Sequence, residues 1–189
     1  MSNVSGIPDS PMTVDEFLSW ADGRPGRYEL YMGRIYAMSP ERSRHAETKY
    51  AAARALDDAI RTAGLKCHML PDGMTVRIDA TTAHEPDALV YCGDKLPGDA
   101  IEVPSPVIIV EVLSPATTRI DASKKLTGYF SLPSVHHYLI IDPEKALAIH
   151  HLRQGDGTIL TRIMRDGTIR FEPPGFEMNL ERILQRDTA

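Results

Sequence analysis

Val107-Ile-Ile-Val-Glu-Val-Leu113 is apolar on both alternating faces except at Glu111. A run of this kind reads as a strand covered on both sides at the centre of a sheet, so the chain must build a sheet with layers packed on it. An ionised carboxylate in that setting costs roughly several kcal/mol unless a cation, a proton or dense hydrogen bonding compensates it. Function is to be sought in that compensation. Upstream, His84-Glu-Pro-Asp-Ala-Leu-Val-Tyr91 opens a second apolar strand with another acid, Asp87, directly after a proline. Two acids at the mouths of neighbouring strands point to a divalent-cation site.

The chain has 189 residues, enough for one well-filled core, and is read as a single domain over 13–189 preceded by a loose arm over 1–12. Hydrophobic and charged contents of 42% and 25% exclude a disordered or low-complexity class. No apolar stretch approaches the roughly 18 to 20 residues of a membrane span, and the N-terminus lacks a basic segment followed by an apolar one. A cytoplasmic protein is expected. Cys67 and Cys92 form no paired spacing for zinc and are read as reduced, mostly buried thiols. The net charge of −5 opposes general attraction to a polyanion, so nucleic-acid contact would need a local basic patch or bound metal.

Along the chain, Thr13-Val-Asp-Glu16 has the form of a capping box before a short helix, and Tyr28–Met38 alternates on either side of Gly33 as a hairpin. Ala46, Tyr50, Ala53, Leu56, Ala59 and Ile60 recur at helical spacing up to Gly64. Residues 66–78 read as a strand pair or bulged strand, followed by the Asp87 and Glu111 strands. A second helix is expected from about Thr118 to Ser131, then a hairpin over Val135–Ile141 and Ala146–Leu152, a strand near Ile159–Met164, and a closing segment over Phe176–Leu184. This order predicts a mixed α+β fold, an α/β sheet flanked by helices with added hairpins.

Phosphodiester hydrolysis is helped when a divalent ion polarises the phosphoryl oxygen and acidifies a water, and Mg²⁺ binds mainly through one or two carboxylates plus waters. Asp87 and Glu111 match that demand, and a nearby lysine would offset developing negative charge. Of Lys124 and Lys125, only Lys125 falls between Ala122 and Tyr129 on the apolar side of the second helix, Lys124 being turned about 100° away. An alternative for Lys125 is a surface pair with Asp121, four residues earlier. His136-His137 and His150-His151 are read as ordinary strand residues, because consecutive strand positions face opposite ways.

Tyr28-Glu29-Leu30, Gly33, Ser39-Pro40, His45, Pro86-Asp87, Glu111-Val-Leu-Ser-Pro115, Asp121, Lys125, Tyr129 and Tyr138-x-x-Ile141-Asp142-Pro143, taken in order, resemble a large bacterial family of restriction-endonuclease-like proteins, transposon- or defence-associated, in the PD-(D/E)XK nuclease superfamily. The resemblance spans roughly residues 13 to 184. It implies a restriction-endonuclease-like core in which Asp87 and Glu111 hold Mg²⁺ or Mn²⁺. It also implies that the superfamily's usual Glu-x-Lys is broken here, Leu113 standing at the lysine position, with the lysine moved to Lys125. Glu29 and His45 complete the pattern as accessory residues, Glu29 as a further metal or water ligand and His45 as a phosphate contact or proton-transfer aid. Taken singly, Glu29 also reads as an exposed strand acid and His45 as a cap.

Arg42, Arg44, Lys49, Arg119 and Lys124 are candidates for a phosphate-binding rim, although charge on an exposed helix is commonly just solvation. No aromatic-interleaved basic stripe marks a single-strand channel. The leading expectation is a metal-dependent endonuclease acting on DNA through Asp87, Glu111 and Lys125. The alternatives are a nuclease-fold DNA- or protein-binding module that no longer cuts, and a structural partner in a mobile-element or defence system. A homodimer is expected.

Overall fold

The structure, a computed structural model, describes residues 7, 8, 10–114 and 119–184, with backbone alone at 119–122. Thr13 caps α1 (Val14–Ala21) through a complete capping box with Glu16, which satisfies orphan amides at the helix start. The hairpin follows as β1 (Tyr28–Tyr31) and β2 (Arg34–Ala37). Its two turn residues, Met32 and Gly33, both have positive φ, 50° and 75°, the mirror-image turn whose twist suits a two-residue hairpin. A Cβ at position 33 would also meet Pro11 Cβ at 2.8 Å. Gly33→Ala is therefore expected to lower stability by about 2 kcal/mol, read as a lower urea midpoint at constant slope; an unmoved midpoint would show that this turn tolerates a side chain.

α2 (Ser43–Ala63) ends on Gly64 in the left-handed conformation, the usual glycine stop. Its Ala52, Ala53, Leu56 and Ile60 are buried. Then come β3 (Cys67–Pro71), β4 (Val76–Arg77), β5 (Ala83–His84), β6 (Ala88–Cys92) and β7 (Pro106–Val112), followed by α3 (Arg119–Ser131). β8 (His137–Asp142), β9 (Leu147–Arg153), β10 (Ile159–Met164), β11 (Thr168–Phe171) and β12 (Phe176–Asn179) complete the strands, and a 3-10 turn, Leu180–Arg182, closes the described chain.

The main sheet runs β10-β9-β8-β7-β6-β3. All neighbours are antiparallel except β7 and β8, which are parallel and are joined through α3. One face of this sheet packs on α2 and the β11–β12 hairpin; the other packs on Tyr129, with Leu126 and Phe130, of α3. β2-β1-β5-β4 form a smaller sheet that shares a third core with α1. The expected mixed α+β architecture is thus present. Residues 66–78 divide between two sheets, β3 joining the large one and β4 the small one. β11, which nothing in the sequence reading anticipated, pairs with β12 in the closing segment. Among the described residues no helix is long and apolar enough to cross a membrane.

Strand register corrects one expectation and adds a pairing to another. Cys67 and Cys92 are not reduced thiols but a disulfide. They face each other directly across β3 and β6, at a position flanked by the Gly93 N–H to Lys66 C=O bond; this is the narrow kind of antiparallel pair, where side chains approach most closely. The histidines pair across strands rather than within a doublet. His137 Nδ1 lies 2.9 Å from His150 Nε2, and His137 Nε2 lies 2.8 Å from the Pro173 carbonyl, with Phe171 edge-on to both rings. A carbonyl only accepts, so His137 carries its proton on Nε2, and His150 donates to Nδ1.

Candidate active site

β7 sorts its side chains by alternation: Ile108, Val110 and Val112 enter the α2-side core, while Ile109 enters the α3-side core. Glu111 follows Ile109 on that second face, at the end of the row, and β7 is central in the sheet. Asp87 stands one residue before the paired segment of β6, where Ala88 opposes Val110, so it reaches the same end of the sheet as Glu111. Its Oδ2 accepts the Val112 N–H at 2.7 Å, which fixes the carboxylate beside β7.

Lys125 of α3 is buried, whereas Lys124 is exposed. Lys125 Nζ donates to Glu111 Oε1 at 3.0 Å and to Glu29 Oε1 at 2.9 Å, and Tyr129 Oη donates to the same Glu111 oxygen at 2.7 Å. Burial pushes the Glu111 carboxyl up, and the Asp87 and Glu29 charges add to this, so that its pKa reaches about 7 even with Lys125 and Tyr129 opposing. Burial also works against the Lys125 ammonium, but Glu111 and Glu29 outweigh it and raise the lysine pKa. Lys125 is thus a fixed positive charge, not a base. Burial would raise Glu29 as well; His84 and Lys125 overcome it and hold that carboxylate at about 2. The surface pair between Asp121 and Lys125 concerns an Asp121 side chain outside the described residues.

A second chain of contacts holds Asp87 from the α2 side. His45 Nε2 lies 2.7 Å from the Val112 carbonyl and 3.8 Å from Asp87 Oδ2; facing a carbonyl, that nitrogen carries the proton. Lys49 Nζ lies 3.2 Å from Asp87 Oδ1 and pairs closely with Glu41 and Asp72. Burial lowers the Lys49 pKa, yet its bonds to Asp72 and Glu41 and the Asp87 charge prevail and raise it. Arg27 continues the network to Asp72, Glu41 and Glu85. Lys49 therefore does not belong to a surface rim. Its place was readable, since residues 49, 52, 53, 56 and 60 form one helical stripe. Arg42 lines the cleft, Arg44 is exposed, and the Arg119 side chain lies outside the described residues.

Glu29, His45, Asp87, Glu111 and Lys125 thus come together from β1, α2, the start of β6, β7 and α3, all lining one open cleft of about 510 Å³. Sequence reasoning placed Lys49 on a rim rather than beside Asp87, and gave no role to His84 or Glu85. His84 is buried in β5 with its ring 5.6 Å from that of Tyr129, and the Glu85 N–H donates to Glu29 at 3.0 Å. Among the described residues no group of three or more His, Cys, Asp or Glu side chains is arranged to hold a metal ion.

A crystal structure described as a "putative nuclease belonging to DUF820" from Anabaena variabilis ATCC 29413 superposes with a TM-score of 0.72 at 15% identity, covering 92% of this chain and 98% of that one. The fold is that of the restriction-endonuclease-like class. The chain belongs to the family described as "Uma2: Putative restriction endonuclease", whose profile matches residues 14–185. It is also 25% identical over 171 residues to "Uncharacterized protein slr1290" of Synechocystis sp., covering 83% of this chain and 85% of that protein.

Proposed function

We propose that this chain is an endonuclease that hydrolyses DNA phosphodiester bonds with the help of Mg²⁺ or Mn²⁺ held by Asp87 and Glu111. The observation that carries the reading is the convergence of two carboxylates from adjacent strands on one cleft, with a buried, charged lysine 3.0 Å from one of them. The donor set fits the ion: both ligands are hard carboxylate oxygens, and Mg²⁺ commonly keeps most of its waters and takes one or two carboxylates. Charge fits as well, because Glu111 is pushed up by neighbouring acids as well as by burial, a repulsion that a divalent cation would relieve. When bound, the ion would supply Lewis acidity toward the phosphoryl oxygen and an acidified water.

The remaining roles belong to the chain itself. Lys125 supplies positive charge near the phosphoryl group, where negative charge builds up during displacement. Glu29 and Tyr129 fix Lys125 and Glu111 in position. His45 and Lys49 steady Asp87.

Incubation of plasmid and linear DNA with Mg²⁺ or Mn²⁺ is expected to give cleavage that falls by about 100-fold or more in Glu111→Gln, since removing even an outer partner of a metal ligand commonly costs 10- to 100-fold. Equal background cutting by both proteins would remove the enzyme claim. Titration calorimetry with Mn²⁺ should give heat that disappears in Asp87→Asn. One observation favours a second reading, a non-cleaving DNA-binding module: Lys125 and Lys49 already neutralise the two carboxylates within the protein. DNA retained in a gel shift without cleavage in Mg²⁺ or Mn²⁺ would select it.

A further inference from the structure

The β1–β2 ladder sets Glu29 directly across from Tyr36 and Tyr31 directly across from Arg34. Directly opposed residues share a face, so these four form one row, while Leu30 and Ile35 turn into the core beneath. The row begins at the site, because Glu29 accepts from Lys125 at 2.9 Å. Tyr36 is 52% exposed and lines the same cleft as Lys125. Arg34 is exposed, and Lys124 places Nζ 4.6 Å from the centre of the Tyr31 ring. An aromatic and basic stripe thus exists, made by the turn at Met32 and Gly33 and by the approach of α3.

We propose that this face is a platform for an unpaired DNA strand: a base stacks on Tyr36, Arg34 and Lys124 take flanking phosphates, and the strand passes on to Lys125 and its carboxylates. The inference rests on the nuclease reading and names its substrate as single-stranded or locally unpaired DNA. Two physical arguments favour a strand over an intact duplex. An exposed aromatic ring stacks any base, but only one that has left its duplex neighbours. Duplex affinity comes largely from neutralising many phosphates, whereas this cleft is lined by Glu29, Glu41, Asp87 and Glu111 in a chain of net charge −5.

The test is anisotropy of a short labelled oligonucleotide, single-stranded and as its duplex, in EDTA so that no cutting intervenes. The single strand should bind about tenfold tighter, and Tyr36→Ala should lose about tenfold on the strand alone, while Tyr36→Phe keeps it. An aminopurine-substituted strand should be quenched on binding to wild type and not to Tyr36→Ala. Duplex affinity equal to or above that of the strand, or wild-type strand affinity in Tyr36→Ala, would overturn the proposal. Tyr36-dependent strand binding by a protein that cuts nothing in Mn²⁺ would leave the platform standing and end the nuclease reading. Metal-dependent cutting of strand and duplex alike, unchanged in Tyr36→Ala, would do the reverse.

Discussion

Lys125→Met is expected to destabilise the folded protein by about 3–5 kcal/mol, the range for removing one partner of a buried ion pair, and to abolish metal-dependent cleavage. The lysine is the shared donor to Glu29 and Glu111, and methionine fills similar space without charge, so the loss comes from a buried Glu29 left without its cation and from Glu111, already raised to about 7, driven further toward its protonated form. The double variant Lys125→Met with Glu111→Gln should recover part of that stability, because the residual Glu111 charge beside Glu29 is gone, yet recover no cleavage. Urea unfolding of the two variants beside wild type measures the first effect and plasmid cleavage the second. A single variant within about 1 kcal/mol of wild type, the range of an exposed pair, would falsify the buried-pair account.

Acid should loosen the β11–β12 side of the protein through the His137–His150 pair. Burial holds both rings neutral, with His137 pulled down to about 3 and His150 to about 4 from an ordinary 6.5, and His136, His151 and Arg162 add to the repulsion. Between pH 6.5 and the folded values the unfolded chain binds protons that the folded chain refuses. Stability contributed by the pair is therefore full above pH 6.5 and lost as pH falls, by up to about 1.4 kcal/mol per pH unit for each histidine. Glu111, raised to about 7, acts in the opposite sense over much of this window, so the readout is a difference. Denaturation midpoints of wild type and of His137→Gln/His150→Gln, taken between pH 5 and 6.5, should diverge, the variant showing the flatter decline. Parallel profiles would exclude the pair as the acid-sensitive element.

Sequence carried the features whose causes are local. The capping box at Thr13, the turn at Gly33, the glycine stop at Gly64 and the alternation around Glu111 each involve a few consecutive residues, and each reappears in the fold. The same holds for the inward face of Lys125, which follows from helical spacing. What stayed hidden depends on partners distant along the chain. Cys67 meets Cys92 only through the β3–β6 register. His137 meets His150 only because β8 and β9 pair. The inward place of Lys49 follows from helical spacing, but its partner Asp72 comes from a separate loop. The cleft was foreseen from its acids and one lysine, but the hydrogen bonds that hold them came from Tyr129, Val112 and Glu85, residues whose type says nothing about catalysis.

The position of Lys125 on α3, rather than two residues past Glu111 where Leu113 stands, changes what guarantees the charge balance. A lysine on the same strand as its acid would be set in place by pleat geometry as soon as that strand formed. Here Glu111 and Glu29 take their counter-ion from the crossover helix, while Asp87 has Lys49 of α2. The charge balance beside β7 thus depends on how α3 docks on the sheet, so the packing of Leu126 and Phe130 bears on the centre without touching it.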